Sequence, residues 1–356
     1  MTTLDFIKVI VPAIVSFVIG ITASPFVISF LTKHKLWKKK NVAKTIDGKE
    51  ATISASLHND VLAPVPRLGG VVVWIAVFAT TFLFWVLQFI YPTAMSEKLD
   101  IVSRNQTWLP IFAMFVGAVV GAIDDLLVAE AFGSKFNSYI GGGLSFPVRL
   151  AAVSSLGIFT GWWFFVKLGV SSVYIPFYGH LLLPGLIFIL FFVVVTLAVF
   201  STGVIDGIDG LSGGVMSAVF AAYGLIAFLK GQINIAALCF VIVGGILAFL
   251  WYNIPPAKFY LSETGMLALT LALAVIAFLT DAVMYLPIIA LPLVVTTLSV
   301  ILQLTWKKMF KRKLFLVAPI HHHFQAKGWP AHTVTMRYWI VSYVCALLGV
   351  ILVLIS

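Results

Sequence analysis

Apolar runs of about 17–26 residues follow one another along the chain, separated by short polar segments, and each is long enough to cross a bilayer core of ~30 Å as a helix. The runs predict ten spans at approximately 6–31, 69–91, 108–128, 147–166, 181–200, 211–229, 233–251, 264–280, 284–305 and 335–355. The sixth has the least distinct start, because the polar stretch before it merges with the fifth. Strands of a transmembrane barrel would alternate apolar and polar residues over ~10 positions, a pattern this chain lacks. The first run is too long for the apolar region of a signal peptide. It follows Asp5 instead of a basic segment and has no small-residue cleavage site, so it reads as a helix.

Composition supports this pattern. Apolar residues fill 61% of 356 positions and charged residues only 10%, with a mean hydropathy of +1.09; a soluble domain would carry about a quarter charged residues. The expected fold class is therefore an all-α polytopic membrane protein, with residues 1–356 forming a single domain. Cys239 and Cys345 lie inside apolar runs and imply neither a disulfide nor a metal site.

The position of the charge changes how the net +10 is read. Most lysines and arginines fall in odd-numbered loops and their flanks: Lys33, Lys35, Lys38–Lys40, Lys44, Lys49 and Arg67 in the first, Lys135 and Arg149 in the third, Lys258 in the seventh, and Lys307, Lys308, Lys311, Arg312, Lys313, Lys327 and Arg337 in the ninth. By the positive-inside rule, odd loops face the cytoplasm and both termini lie outside. This disfavours a nucleic-acid partner and favours membrane lipids with anionic head groups.

Candidate chemistry gathers on the same face. Asp124, Asp125, Asp206, Asp209 and Glu263 all fall at cytoplasmic span ends, and acids against membrane segments are functional candidates by default. Asp206-Gly-Ile-Asp209 has a spacing that would put both carboxylates on one side of a helical turn. Glu263 would sit in the first turn of the eighth span, where plain capping also accounts for an acid. His321-His322-His323 fits zinc poorly, since consecutive residues converge badly on one ion, and suits phosphate or proton-transfer work better. Carboxylates, histidines and lysines on one face suit a Mg²⁺-dependent reaction between a soluble phosphate donor and a lipid head group. Transporters, by contrast, keep ionisable groups near the midplane.

The run Phe315-Leu-Val-Ala-Pro-Ile-His-His-His-Phe-Gln-Ala-Lys-Gly-Trp329 closely resembles the histidine motif of the phospho-N-acetylmuramoyl-pentapeptide transferases, within the polyprenyl-phosphate N-acetylhexosamine-1-phosphate transferase superfamily. Asp124-Asp125, Asp206 to Leu211, Trp251 to Gly265 and Arg337-Tyr-Trp339 follow in the family's order. The resemblance implies ten helices and an active site on the cytoplasmic face of a bacterial inner membrane. It implies Mg²⁺-dependent transfer of phospho-MurNAc-pentapeptide from its UDP donor to undecaprenyl phosphate, giving lipid I and UMP. Related enzymes are commonly dimeric, so a homodimer is an option.

Carried over by motif, Asp124 and Asp125 match the pair proposed to engage or deprotonate the lipid phosphate. Glu263 stands at the magnesium-binding position. Asp206 and Asp209 line the nucleotide site, with Asn253 and Tyr260 near the uridine, and His321, His322 and His323 lie near the diphosphate with Lys327 beside them. The sequence departs from the family at Glu263 (usually aspartate), Gly203 (usually asparagine) and Val128 (usually lysine, for which Lys135 is a substitute). Pro64-Val-Pro-Arg67-Leu-Gly-Gly70 looks like the GlcNAc-1-phosphate branch. Two alternatives follow: the same transfer from UDP-GlcNAc or another UDP-amino sugar, with Arg67 as a substrate contact, and a non-catalytic protein that binds nucleotide sugar or polyprenyl phosphate.

Overall fold

The computed structural model describes residues 2–37, 64–102, 105–131 and 143–356. Lys38–Lys40, Lys44, Lys49, Arg104 and Lys135 lie outside the described residues. Ten helices among the described residues are long and apolar enough to cross a membrane: α1 (Thr3–Lys33), α2 (Val71–Ile90), α4 (Asn105–Val128), α5 (Phe146–Val166), α6 (Leu186–Ser201), α7 (Leu211–Leu229), α8 (Ile233–Asn253), α9 (Ser262–Leu279), α11 (Leu291–Phe310) and α13 (Ala331–Ile355). Three shorter helices, α3 (Ala94–Leu99), α10 (Leu286–Ile289) and α12 (Ile320–Ala326), two 3₁₀ turns (Thr202–Ile205, which extends α6 to a span of Leu186–Ile205, and Val283–Tyr285), and an antiparallel hairpin, β1 (Ser172–Ile175) with β2 (Gly179–Leu182), complete the described elements.

Helices α7, α8 and α9 are buried on nearly every side and form the centre, as expected of helices that are apolar all round. The outer helices turn Phe, Leu, Ile and Val outward, as on the exposed faces of α1, α11 and α13. Small residues let backbones approach at the centre. A Cβ added to Gly117 or Gly121 of α4 would stand 2.5 Å from the Leu267 carbonyl oxygen or 2.2 Å from that of Glu263. Phe192 of α6 stacks on Phe278 of α9 with ring centroids 4.0 Å apart.

Two spans start later than the apolar runs predict. The fifth was expected from 181, but Leu181 pairs with Val173 in the hairpin. Pro184 and Gly185 follow, the latter at φ +57°, and no helix runs through them. The ninth was expected from 284. Instead a 3₁₀ turn (Val283–Tyr285) and α10 precede it, and α11 begins only at Leu291, with Pro292 in its first turn, where a missing N–H costs nothing. It then runs on to Phe310, with Lys307 and Lys308 in its last turn, where cations offset the helix dipole.

Candidate active site

The site is built around the first turn of α9. An α-helix leaves its first amides without internal acceptors, and here two acids from other segments supply them. Ser262 N–H donates to Asp206 Oδ2 at 2.8 Å. Thr264 donates to Asp125 Oδ2 through both its N–H, at 2.9 Å, and its hydroxyl, at 2.6 Å. Ser262 takes φ +55°, a conformation non-glycine residues adopt only when their surroundings dictate it. The loop before α2 presses onto the same turn, since a Cβ at Gly70 would stand 2.2 Å from the Gly265 nitrogen. Backbone bonds hold it there: Tyr260 N–H to the Pro66 carbonyl at 2.9 Å, Gly69 N–H to that of Tyr260 at 2.7 Å and Gly70 N–H to that of Leu261 at 3.2 Å.

That loop carries Arg67, whose Nε and Nη2 lie 2.9 and 2.8 Å from Asp125 Oδ1. Asp125 therefore has both oxygens engaged, by Arg67 and by Thr264. Asp124 differs. Its Oδ1 accepts from Leu144 N–H at 2.6 Å and lies 3.2 Å from Arg149 Nε, while Oδ2 is buried and has no partner. Arg149 also donates from Nη1 to Glu263 Oε1 at 2.9 Å, so one guanidinium bridges Asp124 and Glu263. The two adjacent aspartates thus point to different surroundings, as expected of neighbours on a helix. Val128 and Gly143 pack close beside Asp124, a Cβ added at Gly143 standing 2.8 Å from Asp124 Oδ1 and 3.0 Å from Val128 Cγ2. Gly203 leaves open space, with Met266 Cβ 3.9 Å from an added Cβ.

Asp206 and Asp209 do not share a helical side as the spacing suggested. Residues 206–210 are turns, closed by Gly210 at φ +74°. Asp206 accepts from Ser212 Oγ at 2.6 Å and faces α9, and Asp209 accepts from Ala257 N–H at 3.0 Å. Burial pushes both carboxyls up from the usual aspartate range, against the hydrogen bonds they accept. Tyr260 is pushed up to about 12, by burial first and then by Asp209 and Asp206. Asn253 is spent on the fold: Oδ1 accepts from Gly210 N–H at 2.9 Å and Nδ2 donates to the Phe259 carbonyl at 2.8 Å.

The three histidines diverge. His321 is wholly buried with neither ring nitrogen partnered, His322 Nδ1 meets Gln325 Oε1 at 2.7 Å, and His323 Nδ1 accepts from Leu316 N–H at 3.2 Å. The first two rings cradle Gly207, where an added Cβ would lie 2.6 Å from His321 Nε2 and 2.8 Å from His322 Nε2. Burial, aided by His322, holds His321 well below the ordinary histidine value, so it is neutral at pH 7. His323 is lowered too, by burial and then Lys327. Lys327 is exposed at the end of α12, and among the described residues no ion pair joins it to the acids.

The structure therefore brings Asp124, Asp125, Asp206, Glu263 and Arg67 together around one helix start, with His321 and His322 against the Asp206–Asp209 turn. It adds Arg149, which sequence reasoning counted only as a topological charge; an arginine at the start of a span, facing acids at two others, was the available signal. Among the described residues no three His, Cys, Asp or Glu side chains form a metal-holding group. Mg²⁺ needs fewer, since it is commonly held by one or two carboxylates and completed by water and phosphate oxygens. The unpartnered Oδ2 of Asp124, beside Glu263, fits that demand.

A family profile described as glycosyl transferase family 4 matches residues 107–281. Over nearly the whole length, a phospho-N-acetylmuramoyl-pentapeptide-transferase of Chloroflexus aurantiacus is 31% identical, covering 99% of this chain and 91% of the relative. This chain belongs to the phospho-N-acetylmuramoyl-pentapeptide transferase family. Other members similar to it are those of Levilactobacillus brevis, 34% identical over 81% of this chain and 84% of the relative, and of Chlorobaculum parvum, 32% identical over 93% and 88%. It is thus a multi-pass membrane transferase of this family.

Proposed function

We propose that this transferase moves phospho-MurNAc-pentapeptide from UDP-MurNAc-pentapeptide to undecaprenyl phosphate, giving lipid I and UMP. In this reading residues 1–356 act as one domain in the bacterial cytoplasmic membrane, with the acid-rich face toward the cytoplasm. The observation that carries it is the convergence of Asp124, Glu263, Arg67 and Arg149 at the start of α9, beside the His321–His322 rings.

In the reaction, an oxygen of the lipid phosphate attacks the sugar-bound phosphorus of the donor. A new P–O bond forms, the anhydride bond to UMP breaks, and UMP leaves with the electron pair. One phosphoanhydride replaces another, so positioning and charge stabilisation suffice. Arg67 and Arg149 supply fixed positive charge for the diphosphate. Asp124 Oδ2 is the open oxygen of the aspartate pair, available to hold a cation beside the attacking phosphate. Neutral His321, with a buried N–H, can donate to a phosphate oxygen at the turn. Asp124 and Glu263 would hold Mg²⁺, which when bound offsets diphosphate charge. An apolar groove of about 330 Å³ between α11, α12 and α13, lined by Leu291, Val295, Phe324 and Val341, suits the hydrocarbon chain of the acceptor.

A second donor, UDP-GlcNAc, is favoured by one feature, Arg67 in its Pro-Arg-Leu-Gly-Gly setting. The test is UMP release by purified protein given undecaprenyl phosphate and either donor, with Mg²⁺ or with chelator. Release from UDP-MurNAc-pentapeptide that stops with chelator is the expected result. Release from UDP-GlcNAc alone would replace the donor, and inertness of folded protein toward both would remove the enzymatic reading.

A further inference from the structure

Asp125 is the more buried and more fully bonded of the two adjacent aspartates. Its side chain has no solvent exposure. Oδ1 accepts from Nε of Arg67 and pairs with its Nη2, and Oδ2 accepts from the amide and hydroxyl of Thr264. To take a proton or hold a cation, this carboxylate would first have to break a buried ion pair or uncap α9, and breaking such a pair leaves an uncompensated buried charge. Arg67 is placed differently. Its side chain keeps 24% of its surface exposed, and the fields of Asp206 and Glu263 also reach its guanidinium. Its backbone is pinned on both sides, Arg67 N–H donating to the Leu36 carbonyl at 2.9 Å and Gly69 N–H to that of Tyr260 at 2.7 Å, and the next residue, Leu68, is held at φ +64°. An uncommon backbone conformation thus lies directly beside the Arg67–Asp125 pair.

The geometry assigns Asp125 as a positioning residue that acts through Arg67. Its carboxylate anchors one edge of the Arg67 guanidinium to the first turn of α9 and leaves the other to receive the phosphate oxygens of a nucleoside diphosphate. Asp124, one residue earlier, keeps the open oxygen. An arginine fixed on one edge by a carboxylate loses little freedom on binding phosphate, which is the advantage of its planar fork over a lysine. The assignment rests on the proposed transferase reading only for the class of ligand.

The test is a double-mutant cycle read by calorimetric binding of UDP to full-length protein in detergent, alongside UMP release. Arg67→Gln and Asp125→Asn are each expected to weaken UDP binding about tenfold or more, and the double variant to be no weaker than the worse single one, because both remove the same placed charge. The acid side of the pH–rate profile should be the same in Asp125→Asn as in the parent, since no proton passes through Asp125. Where Asp125→Asn does not fold, Asp125→Glu and Arg67→Lys carry the same cycle with the charges kept and the fork geometry lost. Unchanged UDP affinity with lost turnover in Asp125→Asn would overturn the assignment, as would losses that multiply in the double variant. Failure of the parent protein both to bind UDP and to release UMP would instead count against the transferase reading.

Discussion

Two polar clusters sit at opposite ends of the helix bundle, and they handle their charges differently. At the start of α1, Asp5 pairs with Lys98 at 2.8 Å and accepts from Thr2 N–H at 2.8 Å. Lys8 donates to the Asp100 carbonyl at 2.8 Å, and the Asp100 carboxylate takes Val102 N–H at 2.9 Å and Gln88 Nε2 at 3.3 Å. The polar side-chain atoms of this cluster are satisfied, and its backbone lies in ordinary conformations. At the start of α9, Asp124 Oδ2, Ser262 Oγ and both nitrogens of His321 are buried without partners, and Leu68 and Ser262 sit at positive φ. Other buried orphans among the described residues, such as Thr80, Thr107 and Gln232, are neutral groups. Buried polar groups are nearly always bonded, so ionisable orphans beside backbone strain are what single out the start of α9 as a place for a ligand. A membrane protein can keep charges for stability or for chemistry, and what separates the two is whether the bonding is closed.

The largest effect that would sharpen this contrast belongs to Asp124. Asp124→Asn keeps an acceptor for Leu144 N–H and nearly the same volume, so the protein should remain folded. It removes the charge that Oδ2 shares and should lower UMP release ~10²–10³-fold. Turnover near that of the parent, with the same elution in detergent, would show that an unpartnered oxygen there has no part in the reaction.

A smaller effect concerns acid stability. His321 is held well below its ordinary value of 6.5 by burial and His322, so the folded state binds fewer protons than the unfolded one. Stability is fully present above the ordinary value and falls as pH drops below it toward the depressed one. The thermal midpoint of the parent should therefore fall more steeply from pH 6.5 to about pH 5 than that of His321→Asn. Parallel curves would mean that His321 finds a partner in solution and is not an orphan.

Much of this was legible in the sequence, for identifiable reasons. Ten spans and five acids stood out because both lipid and low dielectric penalise exceptions, so an apolar run or a retained acid means the same in any context. The boundaries at 181 and 284 were not legible, because Leu181–Leu183 and Val283–Ile289 are nearly as apolar as a span and only Pro184-Gly185, Pro287 and Pro292 mark the breaks. Nor were the pairings. That Arg67 clamps Asp125, that Arg149 bridges Asp124 and Glu263, and that Asn253 is spent between Gly210 and Phe259 depend on helix starts brought together from distant parts of the chain. The acid turn was misread for a related reason: the spacing of Asp206 and Asp209 suits a helix, but the glycines between and after them let the chain turn instead.

The smallest expected effect probes the closed cluster. Lys98 is 39% exposed and pairs with Asp5, and an exposed pair contributes roughly 0–1 kcal/mol. Lys98→Ala should shift the thermal midpoint by only a degree or two, on the order expected from such a pair in a chain of this size. UMP release should stay that of the parent, because Asp5 keeps Thr2 N–H on Oδ2 and the only partner lost is that of Oδ1, at the opposite end of the bundle from the start of α9. A loss of turnover comparable to that of Asp124→Asn would break the comparison: the closed cluster would then be coupled to the reaction through the length of α1, and satisfied bonding would no longer separate structural charge from chemical charge in this fold.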